Sequence, residues 1–114
     1  MSKFLFGTLL GSLFISSLAL SADNALLDKG RRLYLSNCIS CHNRDPNMRG
    51  AIGPEMVDAP LSVMTAKVMT GKYPEALPAG FVPKRKTKLM RPLVKLQNDI
   101  PAIFAWVQSM KKKK

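Results

Sequence analysis

Apolar residues fall into four blocks along the chain, separated by polar or proline-rich stretches. The first runs from Phe4 to Leu20, interrupted only by glycine, serine and threonine, with one basic residue, Lys3, before it and Ser21 and Ala22 after it. In the second, Leu26, Leu27, Leu33, Tyr34 and Cys38 recur at near-helical spacing and predict a helix leading into Cys38. The third, Pro60 to Gly71, has proline in its first turn and glycine at its stop. It predicts a short helix in which Met64 and Met69 are packing residues. The fourth opens with Asn98 and Asp99, tolerates Pro101 in its first turn, and sets Ile100, Ile103, Phe104, Val107 and Met110 on one face. Pro74, Pro78, Pro83 and Pro92 restrict the long loop between the last two blocks.

A basic start, an apolar middle and small residues at the end make the first block a secretory signal peptide. Cleavage after Ser21 or after Ala22 leaves a small residue before the cut, so both remain open. Residues 1–21 are therefore set aside and residues 22–114 are expected to form one exported, periplasmic domain. An uncleaved anchor is disfavoured because the stretch is short and broken, and no later segment is apolar enough to span a membrane. About 92 residues remain, a size at which a disulfide, metal or cofactor often supports the core.

Without Lys3 the chain has 17 Lys+Arg against 7 Asp+Glu, a net charge of about +10. Such a surface suits an acidic partner. Nucleic acid is disfavoured: the charge is spread along the sequence without interleaved aromatics, and an exported chain rarely meets it.

Both cysteines and the only histidine lie in Cys38-Ile-Ser-Cys41-His42. Export favours disulfides, but a bridge across so short a loop removes little chain entropy. A structural zinc site needs four ligands, and the chain has no second pair of cysteines and no second histidine. Thiol-disulfide exchange places Cys-x-x-Cys at a helix start after a strand, whereas this motif follows a helical stretch. Covalent haem attachment requires two thiols and an adjacent imidazole at this spacing, and uses all three residues.

With these residues the exported part resembles a class I monohaem cytochrome c of the short bacterial type. Gly30-Arg-Arg-Leu-Tyr34 is similar to the family's first helix, whose glycine and aromatic pack against the last helix; Trp106 stands where the family keeps the aromatic that meets that glycine. Gly50-Ala-Ile-Gly-Pro54 resembles the turn whose proline carbonyl accepts a hydrogen bond from the proximal histidine, an acceptor that fixes the imidazole tautomer. The resemblance implies an all-α cytochrome c fold, three to four helices around one covalent haem c, with the N- and C-terminal helices crossing. It implies haem attachment at Cys38 and Cys41, His42 as axial iron ligand, and Pro54 as its acceptor.

One histidine excludes bis-histidine ligation within the monomer, and methionine is the next choice for the sixth ligand. The exported methionines are Met48, Met56, Met64, Met69, Met90 and Met110. Met48 and Met56 follow the proximal side closely, and Met110 belongs to the last helix. Met90, after the proline-rich loop and before the final helix, occupies the place of the family's axial methionine, although Arg91 separates it from Pro92. A five-coordinate iron, Asn98, or a lysine such as Lys86 or Lys88 are the alternatives. The expected role is one-electron carriage to a redox partner with an acidic surface, not enzymatic catalysis. A haem subunit of a larger oxidoreductase complex and an open-site haem protein binding a small ligand are the other readings. Lys111 to Lys114 reads as a solvated tail suited to a helix C-terminus.

Overall fold

The computed structural model describes the backbone of residues 14–85 and 89–113, with side chains from residue 22 onward. Residues 1–13 of the expected signal peptide, the side chains of 14–21, and the alternative ligands Lys86 and Lys88 lie outside the described residues. In order, the elements are α1 (Phe14–Asn37), α2 (Leu61–Thr70), a 3-10 helix (Val94–Asp99) and α3 (Ile100–Ser109). No strand occurs among the described residues, so the fold is all-α. No described helix is long and apolar enough to cross a membrane.

Among the described side chains of α1, residues 22–26 are exposed, and Leu27 is the first against the core. Leu27, Gly30 and Tyr34 fall at i, i+3 and i+7, one stripe of a helix. Leu26, expected in the core, is exposed one turn before Gly30.

The stripe packs on α3, the most extensive contact between elements. At Gly30 the backbones nearly touch: a Cβ there would fall on the Ala102 carbonyl and lie 2.9 Å from Trp106 Cβ. One turn later the Tyr34 and Trp106 rings meet, with centroids 5.0 Å apart and planes tilted by 45°. Ile100, Ala102, Ile103, Trp106 and Val107 of α3 are buried and Phe104 packs at their edge. Met110 departs from the expected apolar face. It is exposed because it caps the helix end, where its N–H reaches back to the Trp106 and Val107 carbonyls.

Helix α2 matches its sequence signals. The Pro60 carbonyl accepts from the Val63 and Met64 N–H groups at 3.1 and 3.0 Å, and Gly71 ends the helix in the left-handed conformation, with φ of 75°. Met64 is buried and Met69 packs against the core, as expected of filler residues.

The C-terminal lysines are not simply solvated. Asn47 donates from Nδ2 to the Met110 carbonyl at 2.8 Å, and its Oδ1 accepts the Lys112 N–H at 3.0 Å. Lys112 also reaches Asp45 at 3.4 Å, and Lys111 reaches Asp58 at 3.3 Å. Gln108 adds a hydrogen bond to the Val57 carbonyl. The end of α3 is thereby strapped to the loop between α1 and α2, which carries the Cys-x-x-Cys-His motif.

Two stability changes follow. Alanine is favoured over glycine by about 1 kcal/mol inside a helix, but overlap with the Ala102 carbonyl outweighs that gain. Gly30→Ala should lower stability by about 1–3 kcal/mol, read as a lower urea midpoint; a higher midpoint would mean that the helices do not meet there. Asn47→Ala should cost about 1 kcal/mol and speed proteolytic trimming after Met110, whereas unchanged trimming would show the strap to be loose.

Candidate functional site

The Cys38–His42 motif continues α1 by one further turn. Cys38 N–H donates to the Tyr34 carbonyl at 2.9 Å, and the Cys38 carbonyl accepts from Cys41 N–H at 3.3 Å and His42 N–H at 2.9 Å. Cys38 lines one pocket and Cys41 a second, and His42, Pro54, Lys67, Tyr73 and Met90 line both, so the two adjoin as lobes of one cleft. The first lobe is open to solvent and walled mostly by apolar side chains.

His42 is buried, and its Nδ1 lies 3.0 Å from the Pro54 carbonyl. A carbonyl can only accept, so Nδ1 carries the proton and Nε2 keeps its lone pair for a ligand or metal. Burial pushes the imidazole pKa below its ordinary value; the Pro54 bond opposes that push, and the charges of Lys67 and Arg85 add to it. The neutral ring is therefore favoured.

Several contacts hold this geometry. A Cβ on Gly53 would strike the His42 ring, and one on Gly50 would strike the Cys41 carbonyl, so both glycines let the turn fold back onto the motif. The Cys41 carbonyl accepts from Gly53 N–H at 2.8 Å and Ile52 N–H at 3.2 Å. Arg85 donates to the Gly50 carbonyl at 2.6 Å and the Gly53 carbonyl at 3.3 Å. Tyr34, fully buried, donates its hydroxyl to the Asn43 carbonyl at 2.6 Å, and burial raises its pKa strongly, which keeps the proton in place. Arg85 carries no signal in the sequence, because it sits 35 residues from Gly50 and no spacing rule links them.

Of the six methionines after residue 22, Met56, Met64 and Met90 line the first lobe. Met90 alone among them also lines the second lobe with His42. Met48 and Met110 are exposed, as is Asn98, and Met69 packs on the core away from the cavity wall. Lys67 lines both lobes as well, but its ammonium is engaged, 4.3 Å from the Tyr73 ring centroid and 3.4 Å from the Gly71 carbonyl. No group of three or more His, Cys, Asp or Glu side chains able to hold a metal occurs among the described residues. The motif thus lacks the further ligands of a structural zinc site.

Compared with protein-family models, with curated proteins and with solved structures, the chain gives no match. Function has to be read from the chemistry of the site itself.

Burial raises the Cys38 thiol to about 11. Only the thiolate is nucleophilic, so in a Cys41→Ser chain without cofactor Cys38 should alkylate at pH 8 roughly 100-fold more slowly than the same chain in urea. Equal rates would place that sulfur in water rather than in the wall.

Proposed function

We propose that the chain is an exported cytochrome of the class I monohaem type, with haem joined through thioether bonds to Cys38 and Cys41 and its iron bound by His42 and Met90. The observation that carries this reading is the single backbone turn that sets Cys38 and Cys41 on two adjoining lobes with a neutral, Nε2-available imidazole lining both. A donor set of two thiols, one imidazole and the Met90 thioether, which lines both lobes with His42, fits such a group within mostly apolar walls. The packing of α1 on α3 through Gly30, Tyr34 and Trp106 supports the finer fold reading, a cytochrome c fold. When bound, haem supplies one-electron exchange.

The chain's own residues do the rest. Pro54 holds the tautomer and makes His42 a stronger ligand. Val63, Met64, Val68 and Ile103 exclude water from the cavity, and methionine ligation favours a raised reduction potential. With His42 and Met90 both engaged, no open position remains for a substrate. This favours electron transfer over catalysis.

The partner reading follows from the mouth of the second lobe. Ile52 and Leu89 are exposed there beside Arg91, while Arg44 and Arg49 are exposed on the loop after His42. An apolar centre with a basic rim suits a small, short-lived contact with an acidic redox protein.

Expressed with haem-attachment machinery, the mature protein should carry the added mass of one haem. Its ferric form should show the far-red charge-transfer band of a sulfur ligand. Met90→Ala should abolish that band and open the ferrous form to carbon monoxide, whereas Met56→Ala and Met64→Ala should keep it. A mature protein without the haem mass would refute the reading.

A further inference from the structure

We propose that Gly71 is a positioning residue for Met90: its missing side chain is what allows the Met90 backbone to seat against the C-terminus of α2. The inference rests on the haem reading above, in which Met90 is the sixth ligand.

Met90 lies in a stretch with no helix of its own, between exposed Leu89 and exposed Arg91. Its backbone is held from both directions by Gly71. Met90 N–H donates to the Gly71 carbonyl at 2.9 Å. In return, the Met90 carbonyl packs so closely on Gly71 that a Cβ there would collide with it and lie 3.3 Å from Pro92 Cδ. Three residues on, Leu93 N–H donates to the Val68 carbonyl at 2.7 Å and fixes the direction in which the chain leaves. The acceptor is itself anchored: Gly71 caps α2 through its N–H to the Lys67 carbonyl at 2.9 Å, and the Lys67 ammonium reaches the Gly71 carbonyl from the cavity side. A rigid helix end thus aims a residue that lies on an irregular loop. Any side chain at 71 forces the Met90 carbonyl to retreat by roughly 1 Å, more than the ~0.5 Å tolerance of a preorganised ligand.

Gly71 also has a positive φ, so a substitution there strains the backbone as well as crowding Met90. Gly80 separates the two effects. It has a φ of 80°, and a Cβ there would meet nothing within 4 Å. Asparagine tolerates the left-handed conformation, so Gly71→Asn retains the crowding with little of the strain.

The test uses the haem-loaded protein and its Gly71→Ala, Gly71→Asn and Gly80→Ala variants, with Met90→Ala as reference. Both Gly71 variants should keep the covalent haem but lose more than half of the far-red sulfur band, bind carbon monoxide in the ferrous form, and show a lower midpoint potential. Gly80→Ala should match the unmodified protein. An intact band and unchanged potential in Gly71→Asn overturn the proposal, and so does an equal loss in Gly80→Ala. Hydrogen exchange at the Met90 N–H of the unmodified protein needs no variant: protection like that of α2 supports the seat, and exchange at an open-loop rate overturns it. Failure of the haem reading looks different, as a missing haem mass or a band that survives Met90→Ala.

Discussion

One hydrogen bond, from His42 Nδ1 to the Pro54 carbonyl, organises the region around the only imidazole of the chain. For the carbonyl to arrive, residues 50–54 have to turn back onto the end of α1 at a distance only glycine permits, which accounts for Gly50 and Gly53. The turn then needs its own polar groups satisfied. The Cys41 carbonyl and the Arg85 guanidinium do this from opposite sides, one local and one from a distant loop. Tyr34 completes the frame by tying Asn43 to the α1–α3 core. Helix packing and imidazole placement are therefore one construction, and a disturbance at Gly30 or Trp106 reaches His42 through Tyr34.

The segment bearing Met90, which lines the same lobes, is built on a different plan. It is irregular and proline-rich, and its order is borrowed from the end of α2 through Gly71 and Val68. The N-terminal side uses a helix extended by one turn; the other uses a helix cap as an abutment for a loop. Both place a sulfur or nitrogen donor on an apolar wall without a strand to carry it.

Much of this was legible in the sequence wherever the cause is local. The α2 boundaries follow from Pro60 and Gly71, and the α3 start from Asp99 and Pro101, because caps and breakers act within one turn. The Pro54 acceptor and the Gly30–Trp106 approach were expected from the resemblance, and both contacts are present. What escaped depends on chain segments far apart in sequence: the Arg85 clip, the Gly71–Met90 seat, and the Asn47 clasp on residues 110 and 112. Spacing cannot announce such pairs. Leu26 and Met110 were misjudged for another reason. Periodicity marks a stripe but not its width or the point where the helix ends.

The acidic side chains tie down four lysines. Asp45, Glu55, Asp58 and Asp99 each hold a lysine, so Lys29, Lys84, Lys111 and Lys112 serve as internal ties. Arg91 is exposed and lines the lobe that Cys41 lines, and Arg44 and Arg49 are exposed on the loop after His42. A guanidinium is a flat fork that grips a carboxylate through two parallel bonds, whereas an ammonium is a round charge without orientation. If the proposed acidic partner docks on these guanidiniums, it would be sorted by the angle at which it presents its acids and not only by how many it carries.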